Sequence, residues 1–277
     1  TQTTDNVLRQ QLRYVEGSIY DLSKIKSSKT FVRREYPFIT SIDHQVKPVP
    51  GKVDALDVDY KVTEQSRNQV SFQIGYSELD SAFIGVNLGI PSVFGSAKQF
   101  NIGTTVSKSS QSLNLSYKDP FFTINHVSQT LSAYSNRVNY DKRSLTNYAT
   151  NSIGASVLYG IPISDTNTMN LGLGLDHTNL VKPGGSTSET VNYFTKTYGD
   201  NFNTYSVNWG LSHDSTNLAY FPTSGSRFDL NTKLAVPGSS LRYYTLNTSY
   251  QWYHPVIGPT TIGLLGGVQY GNGYGNT

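Results

Sequence analysis

The chain has 277 residues, with 22 Lys and Arg against 19 Asp and Glu, 36% hydrophobic residues and 12% aromatics. Charged residues make up 15% of it, against about 25% in an ordinary soluble domain; Ser, Thr, Asn, 24 Gly and 20 Tyr fill the difference. That composition argues against a helical bundle and a disordered tail, the absence of Cys removes thiolate and Cys-ligated metal chemistry, and a net charge of +3 without a long basic run argues against a nucleic-acid partner.

Residues 1–66 read as a small α/β module. Thr4-Asp5-Asn6 is positioned to cap a helix running to about Val15, with Val7, Leu8, Leu12 and Val15 at helical spacing. Glu16-Gly17 ends it. A second helix is predicted from about Asp21, stopping before Pro37 because a residue preceding proline is driven out of the helical region. Two strands follow, Phe38–Val49 and Asp54–Thr63, separated by Pro50-Gly51. In the second, Leu56, Val58, Tyr60 and Val62 alternate with Asp57, Asp59 and Lys61. A module this small buries little surface, and its sheet would gain from a further strand preceding Thr1.

From Asn68 the hydrophobic period becomes two. Val70, Phe72, Ile74 and Tyr76 open the series, followed by Ile84–Ile90, Phe100–Val106, Leu113–Tyr117, a weaker Val127–Ala133, Ile153–Ile161, Met169–Leu175, Tyr205–Leu211, Phe228–Val236, Tyr244–Trp252 and Ile262–Tyr270. This predicts about eleven strands in a meander, each near the roughly 9–11 residues that cross a bilayer at a tilt. A solvated antiparallel sheet turns Lys, Glu and Thr outward; here the second face is Ser, Asn, Gly and Gln. Small neutral groups suit a wet lumen, which leaves the apolar face to lipid. Aromatics at Phe121-Phe122, Tyr220-Phe221, Tyr243-Tyr244 and Trp252-Tyr253 suit an interfacial girdle. The predicted fold is mostly β: an antiparallel transmembrane barrel region over 67–277, preceded by the α/β module of 1–66. With the module on the periplasmic side, Asn139–Thr150 and Val181–Asn203 become outward loops.

The chemistry-bearing residues point away from catalysis. His44, His126, His177, His213 and His254 are scattered, with no His-x-x-x-His pair. His213-Asp214-Ser215 is a sequential triplet without the geometry of a triad. No Gly-rich run precedes Lys-Ser or Lys-Thr, so no phosphate loop is predicted. No enzyme activity, cofactor or metal is expected. Arg227 reads either as a lumen-facing partner of Asp214 or Asp229, or as a rim arginine among headgroups. Asp119-Pro120 reads as a structural turn, because proline fixes φ and an aspartate bonds the backbone that follows. Arg9, Arg13 and Glu16 fall at i, i+4 and i+7, on one face of the first predicted helix.

Several motifs occur in a specific order. Asn6-Val7-Leu8-Arg9, Arg13-Tyr14-Val15-Glu16-Gly17 and Val49-Pro50-Gly51 precede Asp57-Val58-Asp59-Tyr60-Lys61-Val62-Thr63-Glu64. Phe72-Gln73-Ile74-Gly75-Tyr76 opens the first long strand. The turns are Lys118-Asp119-Pro120-Phe121-Phe122-Thr123 and Tyr220-Phe221-Pro222-Thr223-Ser224-Gly225-Ser226-Arg227, with Val236-Pro237-Gly238 beyond. In this order and spacing the chain resembles the BamA family, the central subunits of the outer-membrane β-barrel assembly machine. The resemblance implies that 1–66 is the last periplasmic POTRA domain without its first strand. It likewise implies that 67–277 is the N-terminal part of the family's sixteen-stranded barrel. The family's Val-Arg-Gly-Phe loop motif and closing strands do not appear, so the sequence reads as a piece of a longer family member.

The function implied is folding and insertion of β-barrel proteins into the outer membrane. The partners implied are unfolded outer-membrane clients, periplasmic lipoproteins of the machine, and the bilayer. Arg9, Arg13 and Glu16 are then either a lipoprotein-docking surface or a solvated charged face. The site implied is the first barrel strand, Gln69, Val70, Ser71, Phe72, Gln73, Ile74, Gly75, Tyr76 and Ser77. An edge strand offers unpaired N–H and C=O groups that a client strand can satisfy; alternatively the strand is simply the first of a closed barrel. The turn motifs carried over are Asp119, Pro120, Phe121 and Phe122, and Phe221, Pro222, Thr223, Gly225 and Arg227. The rival readings are a TamA-like or two-partner-secretion transporter, and a passive outer-membrane channel.

Overall fold

The computed structural model describes residues 3–9, 12, 16–36, 38–65, 68–78, 81–123, 125–140, 148–181, 189–218, 221–258 and 260–275. The chain forms two compact units. One holds Thr1–Asn68 with Ile90–Gln99 and Leu218–Phe221; the other holds Gln69–Gly89, Phe100–Asn217 and Pro222–Thr277.

The first unit contains helix α1 (Asp5–Arg9), helix α2 (Leu22–Glu35) and a hairpin of β1 (Ile39–Pro48) and β2 (Leu56–Glu64). Helix α2 begins near the predicted start, with Asp21 as its cap: the Asp21 carboxylate accepts from Ser23 N–H at 2.8 Å and Lys24 N–H at 3.4 Å. Its inner face buries Ile25, Ser28 and Val32, and with Tyr36, Phe38, Ile39 and Ile42 these make the core of the unit. The Tyr36 and Phe38 rings meet at 5.3 Å. Lys47 Nζ lies 2.7 Å from Asp59 across the hairpin, and this hydrogen bond holds the lysine above its ordinary pKa. The N-terminal segment is tied by Thr3 N–H to Glu64 Oε2 at 3.1 Å and by Thr4 N–H to the Gly95 carbonyl at 3.1 Å.

The first helix is shorter than the spacing predicts. It ends at Arg9, and Leu12 is already outside it. A helix this short gains little from its own hydrogen bonds. The apolar spacing of Val7, Leu8 and Leu12 does not carry it further.

In the second unit, eleven strands follow one another in a single antiparallel sheet ordered by sequence. They are β3 (Gln69–Ser77), β4 (Ser81–Ile90), β5 (Gln99–Ser107), β6 (Ser110–Asp119), β7 (Ser128–Asn139), β8 (Ala149–Pro162), β9 (Asn167–Val181), β10 (Asn201–Asp214), β11 (Gly225–Ala235), β12 (Tyr243–Pro255) and β13 (Thr261–Gly273). Number, order and direction are those the period-two pattern predicts. Strands β8–β10 reach 14 or 15 residues. Strand β7, weak in sequence, is a full 12 residues. One face of it runs Gln129, Leu131, Ala133, Ser135, Arg137, so polar residues at both ends dilute its apolar signal.

The two faces differ in environment. Leu173 and Leu175 on β9 are 60% and 57% exposed, whereas Thr204 and Ser206 on the opposite face of β10 are 7% and 3% exposed. The small polar side is therefore the enclosed one, and the apolar side faces out. A surface of this kind is stable against hydrocarbon and costly against water.

One element went unread in the sequence. Helix α3 (Glu189–Tyr198) lies in the region taken as a loop. Phe194 packs on Tyr198 at 5.1 Å and on Phe202 of β10 at 5.5 Å. Gly199, at φ +85°, closes the helix, its N–H reaching the Thr195 carbonyl at 2.9 Å. The signal was Val191, Phe194, Thr195 and Tyr198 at i, i+3, i+4 and i+7.

Candidate functional site

Residues Gln69–Ser77 form one strand at the edge of the sheet, paired with β4 alone among the described residues. Val70, Phe72, Ile74 and Tyr76 share the outward face, in register with Leu88, Val86, Ile84 and Ala82. Phe72 and Ile74 are 73% and 83% exposed. Ser71, Gln73, Gly75 and Ser77 hold the other face. Gly75 is opposite Phe83, and any Cβ at Gly75 would run into that ring. The phenyl group thus covers the glycine from the neighbouring strand. On its far side β3 has backbone groups with no strand opposite them among the described residues.

The enclosed face carries a polar network that the sequence reading missed. Asp176 on β9 accepts from Tyr134 Oη on β7 at 2.6 Å and forms an ion pair with Lys233 Nζ on β11 at 2.5 Å. Each contact passes over an intervening strand. Gly154 on β8 makes the first possible: it is in register with both Tyr134 and Asp176, and a Cβ there would lie 2.5 Å from Asp176 Oδ1. No sequence motif marks these three residues, which lie on separate strands.

The turn motifs are built as hydrogen-bonded units. Arg227, at the start of β11, pairs with Asp214 at the end of β10, Nε lying 3.1 Å from Oδ2. Of the two acids offered by sequence, Asp214 takes it. The same carboxylate accepts from Thr216 N–H at 2.9 Å. Asn217 Oδ1 accepts from the N–H groups of Thr223 and Ser224 at 3.0 and 3.2 Å. Gly225 has φ +100°, and a side chain there would overlap the Ser215 carbonyl; glycine is required twice over. Phe221 takes φ +53° and is exposed, Pro222 precedes the bonded Thr223, and Tyr220 lies outside the described residues. In the other turn, Asp119 Oδ1 accepts from Phe121 N–H at 3.0 Å across Pro120. Phe122 meets the Tyr159 ring at 5.8 Å.

The charged set near the N-terminus is arranged differently from the predicted helix face. Arg9 is the last residue of α1, Glu16 sits in a turn beyond the helix, and Arg13 lies outside the described residues. Arg9 Nε bonds Asp5 Oδ2 at 2.6 Å, and its Nη1 bonds Glu16. The shared guanidinium, held first by Asp5, stays protonated above its ordinary range. Arg9 and Glu16 are thus brought together with Glu16 outside the helix. Among the described residues, no group of three His, Asp or Glu side chains is placed to hold a metal ion.

The model of the Omp85 superfamily domain matches residues 93–277. The chain belongs to the Omp85 superfamily. The match begins at the turn after β4 and takes in both turn motifs and the polar network, while β3 and the first 68 residues precede it. Those parts are covered by a curated relative. The outer membrane protein assembly factor BamA of Neisseria meningitidis serogroup B is 27% identical over 286 residues, spanning 100% of this chain and 36% of the relative. Among solved structures, BamA from Haemophilus ducreyi lacking POTRA domains 1–3 superposes with a TM-score of 0.71 and 24% identity, over 99% of this chain and 54% of that one. CdiB from Acinetobacter baumannii gives a TM-score of 0.63 at 14% identity, over 98% of this chain and 51% of that one. The chain thus spans about a third to a half of the relatives it matches. The two structures share this fold; the sequence similarity over the whole chain is to BamA.

Proposed function

We propose that this Omp85 chain is part of an outer-membrane protein assembly factor that folds and inserts β-barrel clients, and that β3 is the strand on which clients pair. What supports the reading is similarity to a BamA along the whole chain, in which β3 is the first strand of the sheet and paired with β4. In hydrocarbon a backbone N–H or C=O without a partner costs several kcal/mol. A client strand added beside Gln69–Ser77 satisfies both edges at once. No covalent step and no nucleotide is needed, because the free energy comes from backbone pairing and from burial of the client's apolar face in lipid. Gly75, covered by Phe83, presents the incoming strand with backbone and no side chain of its own.

The eleven-stranded sheet lies in the outer membrane in this reading, and the first unit is a POTRA domain in the periplasm. Arg9, bridged to Asp5 and Glu16, offers a charged surface there for a periplasmic lipoprotein of the same machine. The two long turns then face the periplasm, where the Asp214–Arg227 pair and the Asn217 bonds fix the ends of β10 and β11.

The test is site-specific photocrosslinking in the full-length protein. A crosslinker at Ser71 or Gln73 should capture an assembling client through one of its terminal strands. The same probe at Ser156 or Asn170, in the middle of the sheet, should not. Equal capture at all four positions would refute pairing at β3.

A further inference from the structure

The outward face of the sheet contains a groove across β6–β10 that the pairing reading does not use. Its volume is about 530 Å³, within the roughly 300–1,000 Å³ of small-molecule sites. The strand register shows how it forms. One row across the five strands reads Leu115, Ala133, Ala155, Leu175, Tyr205, and the next reads Leu113, Ser135, Ile153, His177, Asn203. All ten residues line the groove. Ala133 and Ala155 are adjacent at its centre, flanked by Leu115 on one side and by Leu175 and Tyr205 on the other. The missing side-chain volume at two neighbouring positions leaves a channel in a face otherwise covered by Leu, Ile, Val and aromatics.

The groove has a polar upper end. His177 Nδ1 and Asn203 Oδ1 meet at 2.7 Å. The next row reads Gln111, Arg137, Asn151, Asn179, Asn201, with Asn179 donating to Asn201 at 2.6 Å. Arg137 is exposed on the same face as Ser135 and makes no ion pair with a described residue. An apolar channel therefore leads up to a cation and a row of amides, at the rim where β7 ends and β8 begins.

The geometry points to a binding site for one membrane lipid with an anionic phosphate headgroup. One acyl chain lies over Ala133 and Ala155, and the phosphate meets Arg137. The occupant follows from the surface on which the groove lies. Its walls continue the apolar outward face, so hydrocarbon chains reach it, while the Arg137 guanidinium, in no ion pair with a described residue, selects negative charge. The inference rests on the membrane placement of this face and not on client assembly, so a failed crosslink at β3 leaves it standing.

The experiment uses the full-length protein in detergent, exchanged separately with phosphatidylglycerol and phosphatidylcholine, with retained lipid counted by native mass spectrometry. Phosphatidylglycerol should be retained in preference. Arg137→Gln should lower that retention about fivefold, the factor for one basic residue at an anionic lipid surface. It should lower phosphatidylcholine retention less, because the choline cation offsets that lipid's phosphate charge, and Arg137→Lys should retain the preference. Ala155→Phe, which fills the channel, should lose both lipids, whereas Leu173→Phe, on the same face and outside the groove lining, should lose neither. Each variant is first shown folded by its heat-modifiable gel mobility. Undiminished retention in Ala155→Phe overturns the groove as the site, and equal loss of both lipids in Arg137→Gln overturns the assigned headgroup.

Discussion

Paired proline substitutions at Gln73 and Ile74 separate the two edges of β3. Successive residues of an antiparallel strand point their N–H groups to opposite sides. One of these two amides therefore faces β4, and the other faces the opposite edge. Of the nine residues in β3, about four or five direct their backbone groups to that edge. A proline there removes one donor and leaves one client carbonyl unmet in a dry setting, a cost of about 1–3 kcal/mol, or roughly 5–150-fold in the pairing equilibrium. A proline at the other position removes a bond to β4 and weakens the barrel itself. Gln73→Ala and Ile74→Ala, which keep the N–H, control for loss of the side chain. The assay is assembly of a model barrel client in proteoliposomes, beside the urea midpoint of the protein's own gel-mobility shift. One proline should block assembly with an unchanged midpoint, and the other should lower the midpoint. If both prolines assemble clients at the wild-type rate while folded, pairing at this edge is not the mechanism.

Other parts of the structure give further expectations. Gly154→Val places methyl groups between Tyr134 and Asp176 and should cost about 1–3 kcal/mol in urea unfolding. Tyr134→Phe in the same background should add little, because both changes remove one hydrogen bond; full additivity would contradict the network. Gly225→Ala meets both a left-handed φ and the Ser215 carbonyl, and should destabilise by about 1–3 kcal/mol or more; an unchanged midpoint would show that the turn is built otherwise. A double-mutant cycle on Asp214 and Arg227, whose side chains are part-exposed, should give a coupling of about 1 kcal/mol that shrinks in high salt. In the first unit, hydrogen bonds from the Ser23 hydroxyl and N–H hold the Asp21 carboxyl below its ordinary pKa. Its stabilisation of α2 is therefore complete above the ordinary aspartate range and lost as pH falls through the lowered value. Asp21→Asn, which can still accept these bonds but does not titrate, should abolish that acid dependence of helix unfolding followed by circular dichroism.

The sequence by itself determined most of what depends on a residue and its near neighbours, helix α3 and the length of α1 excepted. Alternation along each segment fixed which side chains share a face, because successive residues of a strand point in opposite directions. From that came eleven strands, a polar face opposed to an apolar one, and a membrane architecture. The start of α2 near Asp21 and Asp119 as a turn residue were legible for the same reason, since the Asp21 and Asp119 partners lie two or three residues away. Tertiary structure decided what depends on register between strands, which no local pattern encodes. Register put Gly154 between Tyr134 and Asp176, let Lys233 reach across β10, and set Phe83 over Gly75. It also gave Arg227 to Asp214, its direct cross-strand neighbour, over Asp229 two residues along its own strand. The alanines of the outward groove are unremarkable one strand at a time, and they make a channel only where pairing sets two of them side by side.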